Sequence, residues 1–379
     1  MSQKLRMGMV GGGPGAFIGP VHKMAAELDG KIELVAGAFS QSPERSRVAG
    51  ASFGIDPARA YASYAEMFEA ESKREDGIDF VVIATPNNLH LPVAEAALAA
   101  GIAVMSDKPA TATYDEVLTL EAVVEKAGLP YGLTHTYAGY SLVREARTLC
   151  ASGILGSIRK IAVEYLQGWL SRPIEVAGQK QAAWRSDPAL NGPGGCIGDI
   201  GTHAFHLTEY VTGLKVTSLN AALRSVVAGR RLDDDCNALL RLNNGASGVL
   251  MASQIAAGER NGIRLRVYGE EGSIEWRQDD PNQLRVKWLD RPEEIRHAGG
   301  SYLSSDALTV TRLPGGHPEG YIEAFAVLYR EFAEGMIAFK AGIANPLPVT
   351  LPGIEAGVRG MRFIECAIES SRTENWVEF

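Results

Sequence analysis

The first third of the chain alternates between short runs of nearly continuous apolar residues and longer segments in which apolar positions recur every three or four residues. The runs are "LRMGMV" (5–10), "IELVAGAF" (32–39), "DFVVIAT" (79–85), "IAVMSDKP" (102–109) and "PYGLTHTY" (130–137). Strands buried on both faces have this texture. Between them "HKMAAELDG", "PERSRVAGASFG", "PVAEAALAAG" and "YDEVLTLEAVVEKAG" carry helical spacing, and Gly30 supplies a stop for the first. Strands and helices taken in turn predict βαβ units and a parallel, doubly wound α/β sheet.

Beyond about residue 140 the pattern changes. "IRKIAVEYLQGW", "VTSLNAALRSVV", "CNALLRLNNGASGVLMASQI" and "IRLRVYGEEGSIEW" alternate as strands do, with hairpin turns at "NNG" and "GEEG". Two late segments, "PEGYIEAFAVLYREFAEGMIAF" and "GIEAGVRGMRFIECAIESSR", read as helices. The pattern divides the chain into a doubly wound α/β domain over 1–138 and an α+β domain over 139–379 with a large, mostly antiparallel open sheet. The last helices are candidates to pack back on the first domain.

Composition narrows the function. A chain of 379 residues exceeds what one core usually supports. With 45 acidic against 37 basic residues the net charge is −8, which argues against nucleic acid or an anionic membrane as partner. No apolar run is long enough to span a bilayer, and no apolar leader precedes the glycines near the start. Cys150, Cys196, Cys236 and Cys366 form no C-x-x-C pair, which suits a reducing cytoplasm and offers no metal site.

The first chemical motif is the glycine loop after the first strand, "GGGPGAFIG". A strand–glycine–helix junction presents backbone N–H groups and a helix dipole to a pyrophosphate. The fingerprint fits Gly11, Gly13 and Ala16, or places Gly19 third with a longer loop; Gly15, Phe17 and Ile18 complete the expected cradle. An acid normally closes the second strand and binds the ribose 2′-OH. Here Ser40 stands in that place, and Ser42 and Arg45 follow, which tilts the expected cofactor from NAD towards NADP without deciding it. Lys108–Pro109 falls at the end of the fourth strand, the edge at which open α/β sheets bind ligands. Thr85, Pro86, Asn87 and His90, with Asp107, are expected on the cofactor side of the same edge.

The second motif is "GPGGCIGDIGTHAFHL" (192–207), in which Asp199 precedes His203 by four residues. On a helix these two side chains share a face.

Together, "TPNNLH…AALAAGIAVMSDKPA" and "AWRSDP…GGCIGDIGTH" resemble the glucose–fructose oxidoreductase/inositol dehydrogenase (Gfo/Idh/MocA) family. The resemblance covers essentially the whole chain. It implies a Rossmann domain followed by an open-sheet domain, a nicotinamide cofactor, a small polyol or sugar substrate, and a homodimer or homotetramer formed through the second sheet. It also implies that Lys108, Asp199 and His203 line the nicotinamide. Three departures stand out: Asp107 replaces the usual Glu of the Lys–Pro turn, Tyr137 stands where many members carry Arg, and the glycine loop is longer.

Hydride transfer from a secondary alcohol needs a base for the hydroxyl and a group that stabilises the alkoxide. His203 suits the first task, Lys108 the second, and Asp199 orients the imidazole or binds a neighbouring hydroxyl. His135, Tyr137, Trp184, Arg185 and His317 are expected to complete the substrate pocket. The run Asp233–Asp235 reads as a solvated edge, His206 as a locally bonded histidine, and Cys196 as a small filler. Two other functions fit the same architecture: an NAD-dependent glycoside hydrolase that oxidises its sugar transiently, and a sugar or nucleotide sensor without turnover.

Overall fold

A computed structural model describes residues 4–13, 15–344 and 346–379. The chain divides into two compact units, one formed by the chain up to Thr136 with Phe325–Val358, the other by Tyr137–Ala324 with Arg359–Phe379. The long helices Tyr321–Lys340 and Ile354–Thr373 each run across this division.

The first unit holds five parallel strands: β1 (Leu5–Gly11), β2 (Ile32–Ala38), β3 (Phe80–Ala84), β4 (Ala103–Ser106) and β5 (Tyr131–Leu133). They lie in the order β2-β1-β3-β4-β5. β3 and β4 are buried at every position, as runs without alternation require. The helix Tyr114–Ala127 shows how local sequence fixes an element. Thr113 and Glu116 close a reciprocal capping box, and Gly128 ends the helix with φ 63°. Phe332, from the long helix Tyr321–Lys340, meets Phe80 of β3 edge-on at 5.1 Å between ring centres.

"PYGLTHTY" is strand only over Tyr131–Leu133. Leu133 then donates its N–H to Pro352 O, and a short 3₁₀ turn, Thr136–Gly139, follows. The first helix also begins earlier than its apolar spacing suggested, at Ile18, so His22 lies inside it.

The second unit carries nine strands: β6 (Lys160–Leu166), β7 (Val216–Arg224), β8 (Asp235–Leu242), β9 (Ser247–Ser253), β10 (Gly262–Tyr268), β11 (Gly272–Arg277), β12 (Gln283–Trp288), β13 (Glu294–His297) and β14 (Val377–Glu378). Their order is β13-β12-β11-β10-β6-β9-β8-β7-β14, antiparallel throughout except for the central parallel pair β6 and β9. Because β10 runs against both, the carboxyl ends of β6 and β9 and the start of β10 share one edge. Phe205 of the helix Thr202–Thr212 stacks on Phe363 at 4.5 Å within this unit.

Candidate active site

At the carboxyl edge of the first sheet the ends of β1, β2, β3, β4 and β5 bring together the glycine loop, Ser40, Thr85, Asp107–Lys108 and Thr134–His135. The order β2-β1-β3 places the sheet's switch point at β1 and β3, where dinucleotides lie in such folds. The loop fits a pyrophosphate. Gly11, Gly12 and Gly15 have φ of 83°, 67° and 81°, values L side chains rarely adopt. A Cβ on Gly13 would overlap the carbonyl oxygen of Phe39. The helix Ile18–Glu27 starts with no side-chain cap and no acid in its first turn, so its N–H groups and dipole are presented to an anion.

Of the two fittings of the fingerprint, Gly19 has the close backbone contact that its third position calls for. A Cβ on Gly19 would overlap the backbone of Gly12, and one on Gly12 would stand 2.8 Å from Gly19 Cα. This contact is the close approach of helix and strand that the fingerprint requires. The spacing left both fittings open because the inserted residues conceal which small residue faces the strand. Phe17, beside the loop, is 66% exposed.

Lys108 is half-buried, and its peptide to Pro109 is cis. Asp107 Oδ1 accepts from the Lys108 N–H at 3.0 Å and from the Thr134 hydroxyl at 2.7 Å, tying the ends of β4 and β5 together. His90 is buried, with Nδ1 2.7 Å from Pro109 O and Nε2 3.0 Å from Thr85 O. Its imidazole spans the loops after β3 and β4 and keeps Pro109 against Thr85. Burial holds its pKa below the ordinary value, while the Asp107 carboxylate opposes that shift. Asn87 and His135 are buried nearby in sequence to these turns.

His22 is a residue that sequence reasoning passed over. It is fully buried, its Nδ1 lies 2.6 Å from the Tyr329 hydroxyl, and Phe325 stands edge-on to its ring. Burial pulls its pKa down to about 4, with the Asp107 charge opposing.

In the second unit the stretch 192–207 is a turn running into a helix. Gly192 has φ 91°, a π-helical turn covers Ile197–Gly201, and the α-helix continues from Thr202 to Thr212. The wider π turn re-aims side chains at a helix start and recurs at functional sites. Asp199 lies on it, and His203 follows on the first α turn.

The glycines permit close packing there. A Cβ on Gly195 would overlap Asp233 O, and one on Gly194 would stand 2.9 Å from both Ile197 and Ile364 methyl groups. Asp233 seals the start of the turn: its carboxylate accepts from Gly195 N–H at 2.6 Å and Ile197 N–H at 2.7 Å. Its own carbonyl accepts from Cys196 N–H at 2.8 Å. Burial raises its pKa to about 6 against those two bonds, which favour the ionised form.

The run Asp233–Asp235 is therefore not a solvated edge. Asp234 is 1% exposed and accepts from Val226 N–H, Val227 N–H and Arg230. Periodicity sees three charges before a strand, but Asp233 satisfies backbone donors at Gly195 and Ile197 and Asp234 those at Val226 and Val227.

Around the pair, Asp199 Oδ2 accepts from Gln254 Nε2 at 2.8 Å and faces Arg185 Nε at 3.3 Å. The Arg185 guanidinium lies over the Trp184 ring at 4.3 Å and bonds Gln181 Oε1 at 2.5 Å. The His203 ring meets Tyr137 edge-on at 5.0 Å. Tyr137 is 3% exposed and shares a 2.5 Å hydroxyl contact with Tyr165, whose own hydroxyl reaches Asn261 Oδ1 at 2.8 Å. Burial, then the neighbouring Tyr165, hold the Tyr137 phenol well above its usual pKa, so it stays protonated.

Gln167 adds a second donor to Asn261, and Trp169 donates to Gln167. Gln254, Tyr165, Gln167 and Asn261 were not singled out from sequence. All sit at the shared end of β6, β9 and β10, and strand adjacency was the missing signal.

His317 is exposed and folds onto its own turn, with Nδ1 3.1 Å from Pro314 O. His206 stacks on Tyr210, and burial takes its pKa to about 3. Cys196 is fully buried, and its thiol is raised well above the usual range chiefly by that burial. Among the described residues no helix is long and apolar enough to cross a membrane.

Comparison with known proteins identifies the family. Residues 5–135 match the model of an oxidoreductase family with an NAD-binding Rossmann fold, and residues 143–275 match the Gfo/Idh/MocA C-terminal domain. An uncharacterized oxidoreductase, YfiI, of Bacillus subtilis is 35% identical, covering 100% of this chain and 98% of its own. Levoglucosan dehydrogenase of Pseudarthrobacter phenanthrenivorans is 27% identical over 99% of this chain and 98% of its own. A crystal structure of an inositol dehydrogenase homolog from Azotobacter vinelandii, complexed with NAD⁺, superposes with a TM-score of 0.96. It is 38% identical and covers 100% of this chain and 98% of its own. The chain belongs to the Gfo/Idh/MocA family and is an NAD-binding oxidoreductase.

Proposed function

We propose that the protein oxidises a secondary alcohol of a cyclic polyol, sugar or sugar derivative, or reduces the corresponding ketone. The observation that carries this reading is the acid–base pair Asp199 and His203, held at a π-to-α junction with Gln254, Arg185 and Tyr137 fixing its side chains. Relatives named for levoglucosan and inositol support the substrate class. The nicotinamide, when bound, accepts or returns the hydride.

The remaining steps fall to side chains of this chain. His203 takes the hydroxyl proton and returns it in reduction. Lys108 stabilises the negative charge that develops on the substrate oxygen. Asp199, facing Arg185, orients the substrate or the imidazole. Its Oδ2 accepts a hydrogen bond from Gln254 and pairs ionically with Arg185, which together hold the carboxylate in place.

The test is a panel of inositols, aldoses and levoglucosan with NAD⁺ and NADP⁺ separately, followed by reduced-cofactor absorbance. One or more members should be oxidised steadily. His203→Ala and Lys108→Ala should each lower kcat by about 100-fold or more. Near-normal kcat in either variant would remove that residue from the mechanism.

A further inference from the structure

Gln254 directly follows β9, at the sheet edge shared with β6 and β10. It is 3% exposed, and its backbone is pinned on both sides: its N–H donates to Asp234 O, and its carbonyl accepts from Leu170 N–H, each at 3.0 Å. Among the described residues its side chain has one partner, the Asp199 Oδ2 carboxylate oxygen, 2.8 Å from Nε2.

A carboxylate facing an arginine is an acceptor only, so the amide must turn its NH₂ towards Asp199. The amide oxygen then points the other way. Among the described residues no donor reaches Oε1, yet it is absent from the sealed, unpartnered polar atoms, which include His22 Nε2 and Thr85 Oγ1. It therefore retains an opening beside the carboxylate.

Arg185 already faces Asp199, so charge balance does not call for the amide. What the amide adds is direction. Its oxygen is an acceptor of fixed orientation, adjacent to a second acceptor group, and a pair of neighbouring hydroxyls matches that arrangement.

We propose that Gln254 is a specificity-determining residue whose Oε1 accepts a hydrogen bond from a substrate hydroxyl neighbouring the one held by Asp199, so that the enzyme selects vicinal diols. The inference rests on the dehydrogenase reading above. A substrate lacking that hydroxyl leaves Oε1 without its donor, and hydrogen-bonding sites reject such analogues far more strongly than apolar pockets reject a methylene.

The experiment uses whichever panel member the wild-type enzyme oxidises fastest, together with its monodeoxy analogues. Gln254→Leu keeps the size and removes both polar ends. Its KM should rise about tenfold on the parent substrate with a smaller fall in kcat. On one deoxy analogue the wild type and Gln254→Leu should become equal within about twofold, because the hydroxyl and its acceptor form one interaction. Unchanged melting temperature and NADH affinity would show that the variant folds.

Gln254→Glu keeps an acceptor but sets a second carboxylate against Asp199, so its acid limb in the pH–rate profile should move upward. An unchanged KM in Gln254→Leu, or an equal loss on the parent and every deoxy analogue, overturns the proposal while leaving the dehydrogenase reading intact. A wild-type enzyme that oxidises no member of the panel overturns both.

Discussion

Gly12 and Gly19 meet backbone to backbone, so that a Cβ on Gly12 would stand 2.8 Å from the Gly19 Cα and one on Gly19 would overlap the Gly12 peptide. This contact seats the helix Ile18–Glu27 against the end of β1 and sets where its N–H groups point. Gly19→Ala should therefore push the helix start away from the loop and weaken NADH binding about tenfold or more, while Ala16→Gly should change it little. Titration of NADH by fluorescence decides between them. Equal affinities in the two variants would return the third place of the fingerprint to an open choice.

Much of the first unit was legible from sequence because each of its signals is local. β3 and β4 announce themselves by unbroken apolar runs, and Thr113, Glu116 and Gly128 mark both ends of one helix. The site in the second unit was legible only in part. The spacing of Asp199 and His203 was visible, but their supports come from elsewhere in the chain. Gln254 directly follows β9, Tyr165 is the penultimate residue of β6, and Asp233 lies 34 residues beyond Asp199. Hydrogen bonds between segments so separated leave no periodic trace. The π turn has no trace either, since one turn of i→i+5 bonding over five residues resembles an α-helix in pattern.

Asp233 gives the clearest test of that hidden support. Its carboxylate satisfies the N–H groups of Gly195 and Ile197 at the start of the π turn. Asp233→Ala should leave two buried donors without an acceptor and cost about 2 kcal/mol of stability. Asp233→Asn, which keeps one acceptor oxygen, should cost less. Urea denaturation of the three proteins measures both differences. A Asp233→Ala variant as stable as wild type would show that the turn is held by packing alone.

Acid stability should carry the mark of His22. The side chain is fully buried, and its pKa is about 4 in the fold against 6.5 in an unfolded chain. The unfolded state thus takes up a proton that the folded state refuses. The stability contributed by this group is complete above the unfolded pKa and is lost as pH falls towards about 4, by up to about 3 kcal/mol. His22→Gln keeps a hydrogen-bonding partner for Tyr329 but does not titrate. Its stability should fall less steeply over that window. Identical slopes in urea midpoints at neutral and acid pH would mean that other groups, such as half-buried His206, govern acid unfolding.

Cofactor choice turns on the end of β2. Ser40 stands two residues beyond Ala38, and its hydroxyl accepts from the Ser42 N–H at 3.2 Å, while Ser42 caps the next helix by accepting from Arg45 N–H at 3.4 Å. Neither serine repels a 2′-phosphate, and Arg45 is exposed beside them. An aspartate at position 40 would accept from a ribose 2′-OH and oppose a phosphate on the same carbon. Ser40→Asp should therefore lower kcat/KM for NADP⁺ about tenfold or more while changing that for NAD⁺ little or raising it. Arg45→Ala should act in the same direction more weakly, since an exposed charge in water contributes little. Parallel kinetics with both cofactors provide the measurement, and an equal fall for both would place the 2′ group away from Ser40.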